Sequence, residues 1–192
     1  MTGTRAAETA ARKVRLIAAA TALAAEGGYE AVQMRDVAAR AEVALGTLYR
    51  HYASKDQLLL AAMAQQAATL RERLVLRPPN GDTPSARVSD VLRRASRSLE
   101  RSPLVTKAML AAMSSAEEAA IPLKLEIDTT LRAIIADVVD EGHCTTFADL
   151  DGIVRVLGSV WFAELTYWSS GLNPSSSSMG DNLASAAQLL LG

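Results

Sequence analysis

The chain has 192 residues, a formal net charge of -1, and a composition that is 49% hydrophobic but only 4% aromatic. Alanine and leucine therefore carry the packing, and because both favour helix and no alternating strand pattern is present, we expect an all-α fold. Cys144 is the single cysteine, which excludes an intrachain disulfide and suits a reducing compartment. No apolar run reaches the roughly 18 residues of a spanning helix and no signal peptide is recognisable, so we expect a cytoplasmic protein without a membrane partner.

Helices are predicted from the start of the chain. Residues Met1–Glu8 are small and polar, which predicts a disordered arm. Glu8–Glu26 follows as an amphipathic helix that ends at Gly27–Gly28, and its predicted apolar stripe consists of Val14, Ile17, Ala18, Thr21 and Leu23. In Gln33–Ala41 the apolar residues recur at i, i+3, i+4 and i+7, which predicts a second helix with one buried face. After a tight turn, Ala44–His51 is predicted as a third helix.

The second and third helices have the spacing of a helix-turn-helix. Glu42–Val43–Ala44 makes the turn, and Leu45 and Leu48 are expected to point inward. In such a motif the second helix enters the major groove of DNA. The first sixty residues contain eight Lys and Arg against six Asp and Glu, whereas the remainder contains twelve against fifteen. The modest basic excess therefore lies with the motif, as DNA binding requires.

The outward residues of the third helix suit contact with DNA phosphates. Gly46 lets the backbone approach closely, Thr47 and Tyr49 supply hydroxyls, and Lys55 supplies a charge. The residues predicted to contact DNA are Gln33, Arg35, Gly46, Thr47, Tyr49, Arg50, His51 and Lys55.

Two of these assignments have alternatives, and the next helix has a recognisable start. Arg50 faces either the groove or solvent, while His51 either touches a phosphate or packs beside Tyr52, which we expect in the core. Ser54 followed by Gln57 three residues later is a capping box. Its helix end is positive, and a phosphate can sit there.

These residues also carry a family resemblance. The stretch ALGTLYRHYASKDQLL, about thirty residues after a basic N-terminal helix, resembles the DNA-binding domain of TetR-family transcriptional repressors. More narrowly, EGGYEAVQMRDVAARAEVALGTLYRHYASK, RSPLVTKAM and the helix around Trp161 are similar to the KstR-like regulators of cholesterol and steroid catabolism. The resemblance implies a DNA-binding domain over residues 1–54 and a helical effector-binding and dimerisation domain over residues 55–192.

The rest of the chain is predicted as further helices. The clearest break is the cluster Arg77–Pro78–Pro79–Asn80–Gly81–Asp82, and a second loop is predicted over Gly171–Gly180, which contains Pro174 and four serines. The predicted helices are Lys55–Leu76, Ser85–Arg101, Pro103–Met113, Glu117–Glu141, Phe147–Ser170 and Asp181–Leu191.

The resemblance implies an effector pocket among the middle helices. Apolar residues recur there at helical spacing, and the alternative for most of them is plain core packing. The methionines suit a cavity that must adapt to a bulky ligand. The residues assigned to effector binding are Met63, Leu70, Leu74, Leu92, Met109, Met113, Leu125 and Trp161. A hydrophobic effector, steroid or acyl-CoA-like, is what the resemblance implies.

The long helix predicted over Phe147–Ser170 carries a broad apolar stripe. At 1.5 Å per residue it would be roughly 36 Å long, enough for an interface helix, although the stripe would equally serve the core of one protomer. The resemblance implies that the last two helices pair with their symmetry mates, and a twofold DNA reader needs such a homodimer. The residues assigned to dimerisation are Leu157, Glu164, Leu165, Trp168, Leu183, Ala187 and Leu190.

The sequence gives little support for catalysis, a metal or a cofactor. His51, His143 and Cys144 form neither a closed ligand set nor a nucleophile with an orienting group, so we expect a protein that is not an enzyme. Two alternatives stay open. One is a constitutive or partner-controlled DNA-binding regulator without an effector, and the other is a helical enzyme or acyl-binding module that has kept a helix-turn-helix outline.

Overall fold

The structure, a computed structural model, describes residues 2–140, 149–172 and 176–192. Within these residues all regular secondary structure is helical, which confirms the predicted all-α class. The helices are α1 (Thr2–Ala31), α2 (Met34–Arg40), α3 (Leu45–His51), α4 (Lys55–Leu76), α5 (Pro84–Glu100), α6 (Pro103–Ser114), α7 (Ile121–Asp140), α8 (Leu150–Ser170) and α9 (Ser176–Leu191). A 3-10 turn, Glu118–Ala120, precedes α7.

The described residues form two compact units. The first contains the residues up to Gln66 together with Ser102–Ile127, and the second contains Ala67–Arg101 and the described residues from Asp128 onward. The helix-turn-helix therefore shares its unit with α6 and the first turns of α7. α4 and α7 each contribute residues to both units. The predicted boundary after residue 54 separates a DNA-binding domain from an effector-binding and dimerisation domain, and it stays a prediction.

α1 is interrupted where the sequence predicts its end. Gly27 and Gly28 have non-helical backbone angles, and Gly28 has a φ of 70°, in the left-handed region that favours glycine. The predicted disordered arm is wrong, because the helix already includes residues 2–8. The buried face of α1 contains Leu16 and Ala20, which are fully buried, whereas Val14 is exposed.

The turn between α2 and α3 fixes the helix-turn-helix. Glu42 adopts a φ of 55°, which is uncommon for a residue other than glycine and turns the chain sharply. Arg15 Nε of α1 donates a hydrogen bond to the carbonyl oxygen of Ala41, 3.3 Å away, and so holds the turn against α1. Leu48 is fully buried and Tyr52 nearly so, as predicted. Leu45, predicted to point inward, is exposed because α3 is anchored mainly by Leu48.

The second unit packs α5 and α8 against α9. Thr83 caps α5 by accepting a hydrogen bond from the Ala86 amide, and Pro84 occupies the first turn, where its missing amide hydrogen costs nothing. α8 ends at Gly171, whose φ of 81° gives a left-handed C-terminal cap. Thr83 and Gly171 show why the helices begin and end where they do.

Side-chain hydrogen bonds join α8 to α5 and to α9 in the second unit. Trp161 Nε1 of α8 donates to Ser96 Oγ of α5 across 3.1 Å. Asn182 Nδ2 of α9 donates to Glu164 Oε1 of α8 across 2.9 Å. Both bonds satisfy polar groups that lie wholly or partly away from solvent, so they fix the register of α8.

Candidate nucleic-acid interface

The outer face of α3 presents polar groups on a short, well-anchored helix. Tyr49 is 50% exposed and Arg50 is exposed, while Thr47 is half-buried. Arg50 Nη2 donates to Thr47 Oγ1 across 2.9 Å, so the two side chains are held together on the surface. A Cβ built on Gly46 would meet no heavy atom of the described residues within 4 Å. Packing within the described part of the chain therefore does not require glycine at that position.

Lys55 lies at the start of α4 and is held by α1. Its Nζ is 3.8 Å from the centroid of the Tyr29 ring, 3.4 Å from the Tyr29 carbonyl oxygen and 3.7 Å from Glu30 Oε2. The Tyr29 hydroxyl in turn donates to Asp56 Oδ1 across 2.6 Å. Burial raises the pKa of Tyr29 to about 12, and the hydrogen bond to Asp56 and the charges of Asp56, Glu30 and Glu117 act in the same direction. Lys55 is thus positioned before any DNA arrives.

His51 ends α3 in a basic environment that sequence reasoning missed. Burial lowers the pKa of His51, and the charges of Lys13, Arg12 and Arg50 lower it further. Arg12 and Lys13 belong to α1, which therefore brings cations close to the C-terminal end of α3. The signal in the sequence is weak, since a basic pair on an amphipathic helix is usual on a solvated face. The half-buried position of His51 agrees with either of its predicted roles.

Gln33 and Arg35 flank the start of α2, and both have surface exposed to solvent. Gln33 precedes the helix in an extended conformation and gives no side-chain cap to it. Its Nε2 instead donates to the Glu30 carbonyl oxygen across 2.9 Å. All the predicted DNA-contact residues therefore belong to the first unit, and each has solvent-accessible surface there.

The predicted capping box of α4 is present. The Gln57 amide donates to Ser54 Oγ across 3.2 Å, and the Ala53 amide donates to Gln57 Oε1 across 2.9 Å. Both side chains make a second bond to the segment before α7. Ser54 Oγ donates to Glu117 Oε2 across 2.6 Å, and Gln57 Nε2 donates to the Ala119 carbonyl oxygen across 3.0 Å. No sequence pattern indicates these two bonds, because the residues lie more than sixty positions apart.

The residues assigned to effector binding differ widely in exposure and are divided between the units. Leu74, Leu92 and Met109 are buried, whereas Leu125 is exposed. Met63, Leu70, Met113 and Trp161 are half-buried. An open groove of about 300 Å³ in the second unit is lined by Arg132, Ala133, Ala136, Leu150, Asp151 and Val154, which are other residues. The effector pocket stays a prediction.

The residues assigned to dimerisation lie on α8 and α9, mostly on their inner faces. Five of them are buried in the protomer itself: Leu157, Glu164, Leu165, Leu183 and Ala187. Trp168 and Leu190 are half-buried. Apolar neighbours on the same helices are exposed instead, and these are Val156, Phe162, Tyr167 and Leu189.

The described residues give no sign of a metal centre, because they contain no group of three or more His, Cys, Asp or Glu placed to hold a metal ion. His143 and Cys144 lie outside the described residues. Among the helices that are described, none combines the length and apolar character that crossing a membrane would require.

Comparison with known proteins agrees with this geometry. Residues 16–62 match the family described as "Bacterial regulatory proteins, tetR family", and residues 81–190 match "Tetracyclin repressor-like, C-terminal domain". The HTH-type transcriptional repressor KstR of Rhodococcus jostii strain RHA1 is 35% identical over 181 residues, which are 94% of this chain and 83% of that protein. KstR of Mycobacterium tuberculosis is 34% identical over 94% of this chain and 81% of that protein.

Solved structures give the same result. A TetR transcriptional regulator from Rhodococcus sp. RHA1 superposes with a TM-score of 0.85 at 35% identity, covering 96% of this chain and 97% of that one. FadR of Thermus thermophilus, solved with lauroyl-CoA, has a TM-score of 0.73 at 20% identity over 93% of this chain and 92% of that one, which shows a shared fold. With family matches over both parts of the sequence and repressors among its relatives, the chain belongs to the TetR family of transcriptional regulators.

Proposed function

We propose that this regulator binds palindromic operator DNA as a homodimer and that a hydrophobic effector releases it. The observation that carries the proposal is the outer face of α3, where hydroxyl and guanidinium groups stand beside a glycine that no contact within the protein requires. A short helix with such a face, anchored from below by Leu48, suits insertion into the major groove.

The proposed DNA contacts divide into two kinds. Tyr49, Lys55 and the amides near Gly46 would hold phosphates, which positions the protein without reading sequence. Arg50 and Thr47 lie together on the helix surface, where they would reach base edges. Gln33, Arg35 and His51 would add phosphate contacts at the edges of the motif. Each assignment is a hypothesis that substitution and salt dependence can test separately.

The outer face of α8 supports the homodimer. From Val156 to Leu172, the single charged residue is Glu164, and it is buried against Asn182. The exposed surface of these four turns is therefore uncharged, and it includes Val156, Phe162 and Tyr167. A solvent-facing helix usually carries charge, so an uncharged face of this length indicates a protein partner. We accordingly place the dimer contact on these exposed residues and assign Leu157 and Leu165 to the core of the protomer.

The effector is proposed to be largely apolar. The KstR relatives are named transcriptional repressors, and the FadR structures of the same fold were solved with lauroyl-CoA and stearoyl-CoA. The FadR ligands make a fatty acyl-CoA one class to test first, and the resemblance to KstR-like regulators adds a steroid and its CoA thioester. The phosphates of a CoA ester would need cations, which Arg93, Arg97 and Arg101 of the second unit could supply. Arg94 is committed elsewhere, since it pairs with Asp90 across 2.6 Å and donates to two carbonyl oxygens.

Release of the dimer from DNA by the effector would follow from the way in which two subunits contact one palindromic operator. The two α3 helices of a dimer must enter successive major grooves, roughly 34 Å apart. An effector that shifts α4 changes this separation and so weakens operator binding. Reciprocity then requires that operator DNA weaken effector binding by the same factor. A regulator without an effector would have the same α3 and α8 faces, so only ligand titration separates the two.

The proposal is tested with duplexes that the full-length protein selects from random sequence. We expect a palindromic site, a dimer in sedimentation at micromolar concentration, and binding that weakens steeply with salt. Calorimetry with a steroid, its CoA thioester and a fatty acyl-CoA, each with and without the selected duplex, tests the effector. If none of these ligands changes the affinity for DNA, the constitutive regulator becomes the better description. A protein that selects no duplex would contradict the DNA-binding function itself.

A further inference from the structure

We propose that Glu117 is a brake on DNA binding, by which we mean that it lowers the affinity of the protein for DNA. Its carboxylate accepts the hydrogen bond of the Ser54 hydroxyl, and its negative charge opposes the positive charge of Lys55. The inference rests on the proposed contact between Lys55 and a DNA phosphate. Glu117 lies outside the helix-turn-helix in sequence, just before the 118–120 turn, yet within the same compact unit. Its role would be to set how tightly the protein binds DNA without touching the DNA.

The contact between Glu117 and α4 is direct. Ser54 Oγ donates to Glu117 Oε2 across 2.6 Å, a short distance typical of a hydroxyl bound to a charged acceptor. The same hydroxyl caps α4 by accepting the Gln57 amide. A second bond, from Gln57 Nε2 to the Ala119 carbonyl oxygen, holds the 118–120 turn beside the helix start. Glu117 is thus fixed at the first turn of α4 by two neighbouring bonds.

Negative charge exceeds positive charge around Lys55. We define the Lys55 cluster as Tyr29, Glu30, Lys55, Asp56 and Glu117. Glu30 Oε2 is 3.7 Å from Lys55 Nζ, and Asp56 accepts the Tyr29 hydroxyl beneath it. Burial raises the pKa of the Tyr29 hydroxyl, and the hydrogen bond to Asp56 and the charges of Asp56, Glu30 and Glu117 raise it further, so all three carboxylates act on the tyrosine whose ring Lys55 contacts. One lysine is therefore set against three acids at a point where a phosphate is expected.

This arrangement has a cost when DNA binds. A phosphate that approaches Lys55 meets the charge of Glu117, and it competes with that carboxylate for the Ser54 hydroxyl. Glu30 and Asp56 belong to the elements that hold Lys55 in place, whereas Glu117 reaches the cluster from the segment that leads into α7. A movement of that segment would therefore raise or lower DNA affinity while α3 stays unchanged.

The test compares two glutamates of one segment. Glu117→Gln keeps an oxygen that can accept from Ser54 but removes the charge, and Glu118→Gln makes the same charge change at the exposed neighbouring position. At low salt we expect Glu117→Gln to bind the selected duplex roughly fivefold more tightly, the effect that removing a repulsion between two unit charges about 4 Å apart in water would have, and Glu118→Gln less than about twofold. The gain should shrink as salt is added and should largely disappear in the Lys55→Ala background.

Equal affinities for Glu117→Gln, Glu118→Gln and the wild type would overturn the brake, as would weaker binding by a folded Glu117→Gln. A second measurement uses the wild-type protein alone. On addition of the duplex, hydrogen exchange should speed up in residues 116–121, since the phosphate displaces Glu117, while it slows in α3. Exchange that is unchanged or slower in residues 116–121 would also overturn the proposal. If α3 shows no protection, the DNA-binding function fails and not the brake.

Discussion

α3 and α8 each leave one face uncovered, and the chemistry of the two faces differs. α3 is seven residues long and exposes a tyrosine and an arginine beside a glycine. α8 is 21 residues long and from Val156 onward exposes no charged side chain. Both helices are anchored by buried leucines, Leu48 in α3 and Leu157 and Leu165 in α8. The buried faces therefore resemble one another, and only the exposed faces distinguish the partners.

The difference indicates what covers each face. Hydroxyl and guanidinium groups lose little by facing water and gain strong bonds from phosphates and base edges. An uncharged apolar face gains most when another apolar surface removes it from water. We therefore expect DNA on α3 and a second copy of the chain on α8. Substitutions that change one face at a time test this comparison.

The largest effect is expected on α8. Phe162 is 39% exposed and Leu165 is 3% exposed, although they are three residues apart on one helix. Phe162→Arg should give a folded monomer, because an unpaired charge in an apolar interface costs several kcal/mol. A monomer reaches only one half-site at a time, so operator binding should weaken by more than about a hundredfold. Sedimentation and circular dichroism check the oligomeric state and the fold, and anisotropy with the selected duplex checks the affinity.

Leu165→Arg is the matched comparison, since it places the same charge in the core of the protomer. We expect it to unfold or aggregate, with loss of the helical signal. If Leu165→Arg instead gave a folded monomer, the interface would lie on the inner face of α8, where the sequence alone placed it. If the Phe162→Arg variant remained dimeric, the exposed face of α8 would not be the dimer interface.

On α3, and at Lys55 in the first turn of α4, the expected effects are smaller. Tyr49→Ala and Lys55→Ala should each weaken binding to all DNA sequences alike, by roughly tenfold, because each removes a bond to a charged phosphate. Lys55→Ala should also reduce the slope of affinity against salt by about 0.9 for each phosphate that the lysine neutralises. Fluorescence anisotropy over a salt series measures both. A folded double variant with wild-type affinity and salt slope would contradict the assignment of this face to DNA.

Much of the first unit was predictable because local signals determine it. The break at Gly27–Gly28, the turn at Glu42 and the capping box of Ser54 and Gln57 each depend on a few neighbouring residues. Apart from the arm predicted over Met1–Glu8, which is helical from residue 2, the errors concern the phase of a helix. Val14 is predicted to point inward but Leu16 occupies that position, since periodicity in an alanine-rich helix leaves the exact phase open.

The contacts between distant parts of the sequence at this site were not predictable in the same way. Glu117 reaches Ser54 from 63 residues away, and the charges of Arg12 and Lys13 of α1 lower the pKa of His51 at the end of α3, after burial, which lowers it most. Likewise, sequence periodicity found the apolar character of α8 but not which of its faces the protomer itself covers. Tertiary packing determines these long-range contacts and the buried face of α8, and local sequence patterns do not indicate how the helices pack.

Gly46→Ala separates folding from DNA binding. A Cβ at Gly46 meets no heavy atom within 4 Å, so the substitution should leave the free energy of unfolding unchanged or raise it by less than about 1 kcal/mol, since alanine favours helix. Operator affinity should nevertheless fall several-fold, because the methyl group lies where a phosphate would approach. Thermal unfolding and anisotropy measure the two quantities. Unchanged affinity would mean that the DNA backbone does not approach Gly46.

The smallest expected effect concerns His51 and pH. The pKa of His51 is lowered from 6.5 by burial and by Lys13, Arg12 and Arg50, so the imidazole is neutral at neutral pH. In the protein without DNA, His51 therefore binds a proton more tightly in the unfolded chain than in the folded one. The free energy of unfolding should decline slightly as pH falls below about 6.5. A phosphate at His51 would offset the surrounding cations and raise the pKa toward its ordinary value.

Binding of DNA would then take up a proton, and operator affinity should increase as pH falls. We expect a gain of about two- to fivefold between roughly pH 7.5 and pH 5.5, the range in which histidine titrates. His51→Gln, which cannot take up the proton, should lose this pH dependence and keep most of its affinity at the higher pH. If wild type and His51→Gln show the same pH profile, His51 only packs beside Tyr52, and the cations Arg12, Lys13 and Arg50 act on DNA without it.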